Sequence, residues 1–254
     1  MYRKRLAAAV TAAICLISCA ACGKGAELSV DENVSVVTAP TATNAAGEAV
    51  LSVGDIVEPD EDSEEYVLGS YRVASDGVKF YYDEPITEEL MFAIDTYFTC
   101  FQNNDYDTYE TLLYPDYKER YSAYLQEEYE YDLRHSFELN GQNLRTIMQR
   151  ECAEGDEDED TSKYTGDFTI TRIKAEEPEL EEGETIEGLQ KKLFEFFDEA
   201  FEMDYYEYVK ENSDDIEYVC FYIYARGEDG AEHRLISGYD IAFALVDGRY
   251  YAFG

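Results

Sequence analysis

Between residues 87 and 115 apolar side chains recur at a helical period. Leu90, Ile94, Phe98 and Phe101 form one stripe, and Met91, Tyr97, Tyr109, Leu112 and Leu113 widen it. The spacing predicts helix. Thr87 is placed to cap its N-terminus, and Glu88 and Glu89 fall in the first turn, where the helix dipole favours acids. Asn103-Asn104-Asp105 interrupts the pattern before it resumes and stops at Pro115, which predicts two helices with a break. As the longest helical stripe in the chain, this stretch is the expected spine, with Phe98 and Phe101 both facing a sheet.

Upstream, residues 66–82 alternate as two short strands around Ser75-Asp76-Gly77, whose glycine tolerates positive φ. Downstream, Asp116 is the expected cap of a helix bearing Tyr117, Tyr121, Tyr124 and Leu125, and Leu144, Ile147, Met148 and Cys152 form another helical face after an Asn140-Gly141 turn. Residues 151–160 are almost uninterrupted acid and predict a solvated loop. The period then changes. Residues 164–173 predict a strand with Phe168, Ile170 and Arg172 on one face and Asp167, Thr169, Thr171 and Ile173 on the other. Leu189, Leu193, Phe196 or Phe197, and Ala200 predict an amphipathic helix ending near Asp204. Strands at 216–225, 235–246 and 249–253 follow, linked by the hairpin signals Asp229-Gly230 and Asp247-Gly248. Because 216–225 is apolar on both faces, it belongs in the centre of the closing meander. The fold class is α+β, with N-terminal helices packed on a curved antiparallel sheet.

That order resembles the nuclear transport factor 2-like, cystatin-related cone fold. Two stretches carry the likeness. One runs from Phe101-Gln102-Asn103-Asn104-Asp105-Tyr106 to Leu113-Tyr114-Pro115-Asp116-Tyr117, similar to that superfamily's helix, break, helix and Pro-Asp turn. The other is Val246-Asp247-Gly248-Arg249-Tyr250-Tyr251, similar to the closing hairpin of many secreted members. The resemblance implies a cone-shaped domain, and since that fold hosts enzymes, binders and inert scaffolds alike, it implies no activity.

At the N-terminus, Arg3-Lys4-Arg5 precedes an apolar run over residues 6–18, the charged and hydrophobic regions of a secretory signal too short to remain as a membrane span. Leu16-Ile17-Ser18-Cys19-Ala20-Ala21-Cys22-Gly23 then resembles the lipobox of bacterial lipoproteins. Cys19, with Leu16 and Ser18 in the preferred places, is the expected lipidation site, and Cys22, preceded by Ala21, is the alternative. A redox reading of Cys19-x-x-Cys22 lacks the strand-to-helix context that chemistry needs. The expected organisation is a signal peptide at 1–18, a flexible acidic tether at 19–65, in which 50–57 alternates enough to be a stray strand, and one domain at 66–254. Acyl chains on the cysteine would hold the domain at the extracytoplasmic face of the cell membrane.

Charge narrows the partners. Against 57 Asp and Glu stand 20 Lys and Arg, a formal net charge of -37, and three of those bases sit in the leader. Such a surface repels nucleic acid, so phosphate-backbone binding is excluded as a role. An envelope protein or a glycan is the expected partner.

Candidate chemistry is sparse. His135 and His233 are the two histidines, and both are expected as surface positions. Cys100, Cys152 and Cys220 are too widely spaced to read as a disulfide framework, and Cys100 and Cys220 are expected as buried thiols. Asp156, Asp158, Asp160 and Asp167 imitate calcium-loop spacing, yet Thr161 stands where the loop needs glycine, which predicts only weak, nonspecific cation association. Gly23-Lys24-Gly25 lacks the strand and helix of a phosphate loop. The 24 tyrosines, with no tryptophan, read either as rings lining a ligand cone or as ordinary packing faces such as Tyr117, Tyr121 and Tyr124 or Tyr222, Tyr224 and Tyr239. No catalytic, cofactor or metal site is expected. The leading expectation is a non-enzymatic binding or scaffolding lipoprotein. Small-molecule or glycan binding in the cone comes second, and an isomerase or hydrolase third.

Overall fold

The structure, a computed structural model, describes residues 42–43, 49–50, 56–59, 69–74, 76–82, 87–154, 160–176, 178, 180–181 and 183–254. The signal peptide at 1–18, Cys19 and Cys22, Gly23-Lys24-Gly25, most of the tether at 19–65, and Asp156 and Asp158 lie outside the described residues. Within 19–65, β1 (Ala42–Thr43) pairs with β2 (Ala49–Val50), and Val57 exchanges two backbone hydrogen bonds with Tyr71.

The expected spine forms as read. α1 (Glu88–Asn103) starts where the Thr87 hydroxyl accepts from the Leu90 N–H, and it ends where Asn104 enters the left-handed region at φ 53. Asp105 then caps α2 (Tyr106–Leu112) through the Thr108 N–H. α3 (Pro115–Tyr129) departs from expectation at its cap. Tyr114 holds that position without a side-chain bond, Pro115 opens the helix, and Asp116 instead binds Arg120 one turn on at 2.7 Å.

α4 (Leu133–Ala153) is longer than its predicted second half and runs straight through Asn140-Gly141, which is no turn. Its buried stripe explains why. Leu133, Phe137, Leu144, Met148 and Cys152 are all buried. Burying each large side chain gains ~1.5–3 kcal/mol, whereas an interior glycine costs ~1 kcal/mol. Beyond residue 160, the Asp160 carboxylate caps a single 3-10 turn, Thr161–Lys163. Further on, α5 (Ile186–Ala200) ends before Asp204, which caps a further helix, α6 (Tyr205–Glu211), that the sequence reading missed. The most buried positions of α5 are Gln190 and Phe194, one residue along from the predicted Leu189 and Leu193.

Six strands make one curled sheet in chain order: β3 (Tyr71–Val73), β4 (Lys79–Tyr82), β5 (Thr169–Glu176), β6 (Asp215–Arg226), β7 (Glu232–Val246) and β8 (Arg249–Ala252). The wholly antiparallel sheet expected from sequence is corrected at one seam, because β4 and β5 are parallel, with Phe80 opposite Ile173. The chain leaves β4, passes through α1 to α4 and returns in the same direction, the long crossover that a parallel pair requires. In β5 a bulge leaves Thr171 unpaired between Ile170 and Arg172, shifting the alternation so that Ile173 joins Ile170 and Ala175 in the core instead of facing away. Two more bulges leave Leu235 and Gly238 of β7 without partners on β6, and these extra residues add twist to the two longest strands. Gly238 takes φ 69, a conformation only glycine adopts cheaply. Although β6 looked apolar on both faces, only Ile216, Val219, Phe221, Ile223 and Ala225 are buried, while Tyr218, Cys220, Tyr222 and Tyr224 are half-buried.

The concave face of the sheet closes over α1. Phe98 meets Phe221 of β6 with ring centroids 5.6 Å apart and Tyr239 of β7 at 6.4 Å. Phe101, expected on the same side, instead stacks on Phe137 of α4 at 4.8 Å and packs against Tyr109 of α2 at 5.4 Å. Three residues along a helix turn the side chain about 60° short of a full revolution, enough to move it from sheet to helices. At the other edge Tyr114 N–H donates to the Ala252 carbonyl and Arg249 to the Thr111 carbonyl, covering part of the free side of β8. Truncation of Phe98, 3% exposed, to alanine is expected to cost about 3–5 kcal/mol in denaturant melts. A neutral result would place α1 wrongly on the sheet.

Candidate functional site

Three places could carry function: the interior of the curled sheet, the junction of α4 with the β6–β7 turn, and the end of the fold where α3 turns into α4.

Among the described residues, aromatic rings pack the interior. Tyr97 is fully buried at its centre, in ring contact with Phe98, Phe101, Tyr109 and Phe243 at 5.2, 5.5, 5.7 and 6.4 Å. A second aromatic group closes the other end: Tyr117 packs on Phe197 and Phe253, Phe194 on Phe253 at 4.8 Å, and Phe201 on Tyr205 at 4.8 Å. Burial pushes the hydroxyls of Tyr97, Tyr109 and Tyr117 well above the ordinary phenol range, so they remain neutral. Of the tyrosines named from sequence, Tyr117 and Tyr121 are packing residues, and Tyr124, Tyr222, Tyr224 and Tyr239 are half-buried.

An isomerase-like site would need a tyrosine and a carboxyl converging in this interior. The deeply buried carboxyl is Asp95, two residues before Tyr97, and residues so spaced on a helix do not face one another. Neither Asp95 oxygen has a hydrogen-bond partner among the described residues. Burial raises its pKa well above the usual carboxylate range, and Asp76 in the β3–β4 turn raises it further. Burial therefore biases Asp95 toward its protonated form, and the charge of Asp76 adds to that bias.

At the second place, Cys152 lies in the last turn of α4, Asp229 in the β6–β7 turn and His233 at the start of β7. His233, expected at the surface, is only 17% exposed along its side chain, and its Nε2 lies 2.8 Å from Asp229 Oδ2. The Cys152 thiol donates to Asp229 Oδ1 at 3.7 Å. Burial pushes that thiol up, while the backbone N–H groups of Asp229 and Glu228 aimed at the sulfur favour its thiolate. The sequence reading missed this group because Cys152 and Asp229 are 77 residues apart; the available signal was the Asp-x-x-x-His spacing across a hairpin turn. Burial holds Cys100 and Cys220 at about 12, and Cys220, expected buried, sits half-buried on the convex face near Asp240.

At the third place, His135 is exposed and its ring lies 5.0 Å from that of Tyr131, which stacks on Tyr129 at 5.5 Å. The Tyr131 and His135 rings, with Asp132, Arg134 and Glu138, border a shallow groove of about 410 Å³. The calcium-like spacing leaves Asp160 and Asp167 to inspect. Asp160 caps a turn, and Asp167 lies 3.7 Å from Arg145, so neither points at a shared ion.

Comparison with protein-family models, curated proteins and solved structures yields no match to this chain. Among the described residues no helix is long and apolar enough to cross a membrane.

For Asp95 the pH dependence has a definite sign. Between the ordinary carboxylate pKa and its raised folded value, the native state holds a proton that the unfolded chain has released. Its contribution to stability therefore falls as pH rises through that window. Asp95→Asn, which removes the buried ionisable group, is expected to stabilise the protein near neutral pH by about 1–3 kcal/mol and to flatten the fall. Equilibrium melts on the acid and neutral sides of the window check both.

Proposed function

We propose that this chain is a lipid-anchored protein of the extracytoplasmic membrane face, with a cone-type domain resembling the nuclear transport factor 2-like fold that binds or scaffolds an envelope component without catalysing a reaction. The observation carrying the binding part is the filled interior. With Tyr97, Phe98, Phe101, Phe221 and Phe243 each 3% exposed or less, recognition falls to the outer surface. An exterior interface needs no converging acid and base, and the buried Asp95 and Tyr97 diverge. The anchoring part rests on the Arg3-Lys4-Arg5 leader and on Leu16 to Cys19, with Cys22 as the alternative lipidated residue. A strongly acidic surface suits a basic or glycan partner and disfavours nucleic acid.

Ligand binding remains the second reading, moved from the cone to the groove between α3 and α4. There the half-buried Tyr131 and exposed His135 offer ring faces beside Arg134 and Asp132, the pairing of stacking surface and polar groups that sugars take.

Mass spectrometry of the mature N-terminus from native membranes is expected to show diacyl or triacyl modification on Cys19, or failing that on Cys22. An unmodified N-terminus at another position would sink the anchor. Affinity capture from the native envelope with the full mature chain tests the second half. A specific protein partner retained by Tyr131→Ala supports scaffolding, whereas glycan capture abolished by Tyr131→Ala supports the groove.

A further inference from the structure

We infer that Cys152, Asp229 and His233 form a binding site for a zinc-class divalent cation at the junction of α4 and the β6–β7 turn. The site is independent of the anchoring and partner reading above. It stands on donor chemistry and geometry.

One sulfur, one carboxylate oxygen and one imidazole nitrogen lie within 4.8 Å of one another. Around a tetrahedral zinc, with bonds of roughly 2.3 Å to sulfur and 2.0–2.1 Å to nitrogen and oxygen, neighbouring donors stand about 3.3–3.6 Å apart. Cys152 Sγ lies 3.7 Å from Asp229 Oδ1, close to that length. His233 Nε2 lies 2.8 Å from the other oxygen, Asp229 Oδ2, in a hydrogen bond that must open by about half an ångström. The carboxylate thus lies between sulfur and imidazole, and a small rotation about its χ2 would present one oxygen to an ion shared by all three. Mixed sulfur, nitrogen and oxygen donors select zinc-class ions, since calcium and magnesium take oxygen shells. Three protein donors leave the fourth position to water.

The surroundings are shaped for the sulfur. Gly227 opens the turn, and a Cβ there would lie 2.4 Å from Cys152 Sγ and 2.9 Å from Met148 Sδ, so only glycine lets the turn backbone come this close. That approach brings the turn against the sulfur, whose thiol donates to Asp229 Oδ1. Asp229 is itself held by the Ala231 N–H at 3.1 Å, and Glu228 is anchored to the backbone of Thr165 and Gly166. Asp229 thus sits on a braced turn, His233 at the start of β7 and Cys152 on the last turn of a long helix, so an ion would tie α4 to the β6–β7 hairpin.

The test uses the full mature chain with its thiols reduced, at physiological salt and with excess Mg²⁺ to occupy the acidic surface. Titration with Co²⁺ is expected to give one equivalent of a tetrahedral complex with a sulfur-to-metal charge-transfer band in the near ultraviolet, displaced by Zn²⁺. Cys152→Ser should abolish the band and Cys100→Ser should keep it. Asp229→Asn and His233→Ala should each weaken Zn²⁺ binding by more than the roughly 10- to 100-fold typical of outer-shell changes. If Cys152→Ser fails to fold by circular dichroism, the wild-type titration decides alone: absence of the charge-transfer band overturns the site. Persistence of the band in a folded Cys152→Ser, or Ca²⁺ competing as well as Zn²⁺, overturns it equally.

Discussion

Everything in this fold depends on α1 being wrapped on nearly all sides. Leu90, Met91, Ile94, Tyr97, Phe98 and Phe101 are each 3% exposed or less, so the helix is sheathed by the curled sheet on one flank and by α2 and α4 on the other. A flat sheet could cover only one stripe of such a helix. Curvature is therefore a requirement, and the bulges at Thr171, Leu235 and Gly238 are where the strands supply it. Dispersion and apolar burial along this one helix tie β5 to β8 to the helical layer.

That same wrapping decides where chemistry can occur. A sheet curled around an empty centre makes a ligand cavity, while a sheet curled around an aromatic helix makes a core. The large complement of tyrosines follows from this. Their rings fill volume as phenylalanine would, and a buried hydroxyl can find a partner within the fold, as that of Tyr206 does in donating to Gln190 Oε1. Exceptions are informative: Asp95 brings a carboxyl into the same layer without a partner, a cost that packing around it must offset. Polar groups with mutual geometry lie instead at the rims, where helix ends meet strand turns, and the contact of Cys152 with Asp229 and His233 is of that kind.

Much of this was legible in the residue order. The α1 cap at Thr87, the break at Asn104, the hairpin turns at Gly77 and Asp247-Gly248 and the α+β class all rest on interactions between residues within a few positions of one another. Failures share a cause. Asn140-Gly141 reads as a turn locally, but Phe137 and Leu144 on either side are buried and carry the helix through. The facing of Phe101 and the phase of β5 each depend on what lies opposite, and a single unpaired Thr171 reverses which side Ile173 occupies.

By itself, then, the sequence determined the caps, turns, periods and the extreme acidic charge, because these follow from backbone sterics, local hydrogen bonding and side-chain ionisation. Only the tertiary structure decided that β5 runs parallel to β4, since strand direction depends on where four intervening helices return the chain. It alone decided that the interior is occupied, because filling is a property of summed side-chain volumes around a given curvature. And it brought Cys152 to Asp229 across 77 positions, for a cluster of donors is defined by distance in space, which chain spacing does not encode.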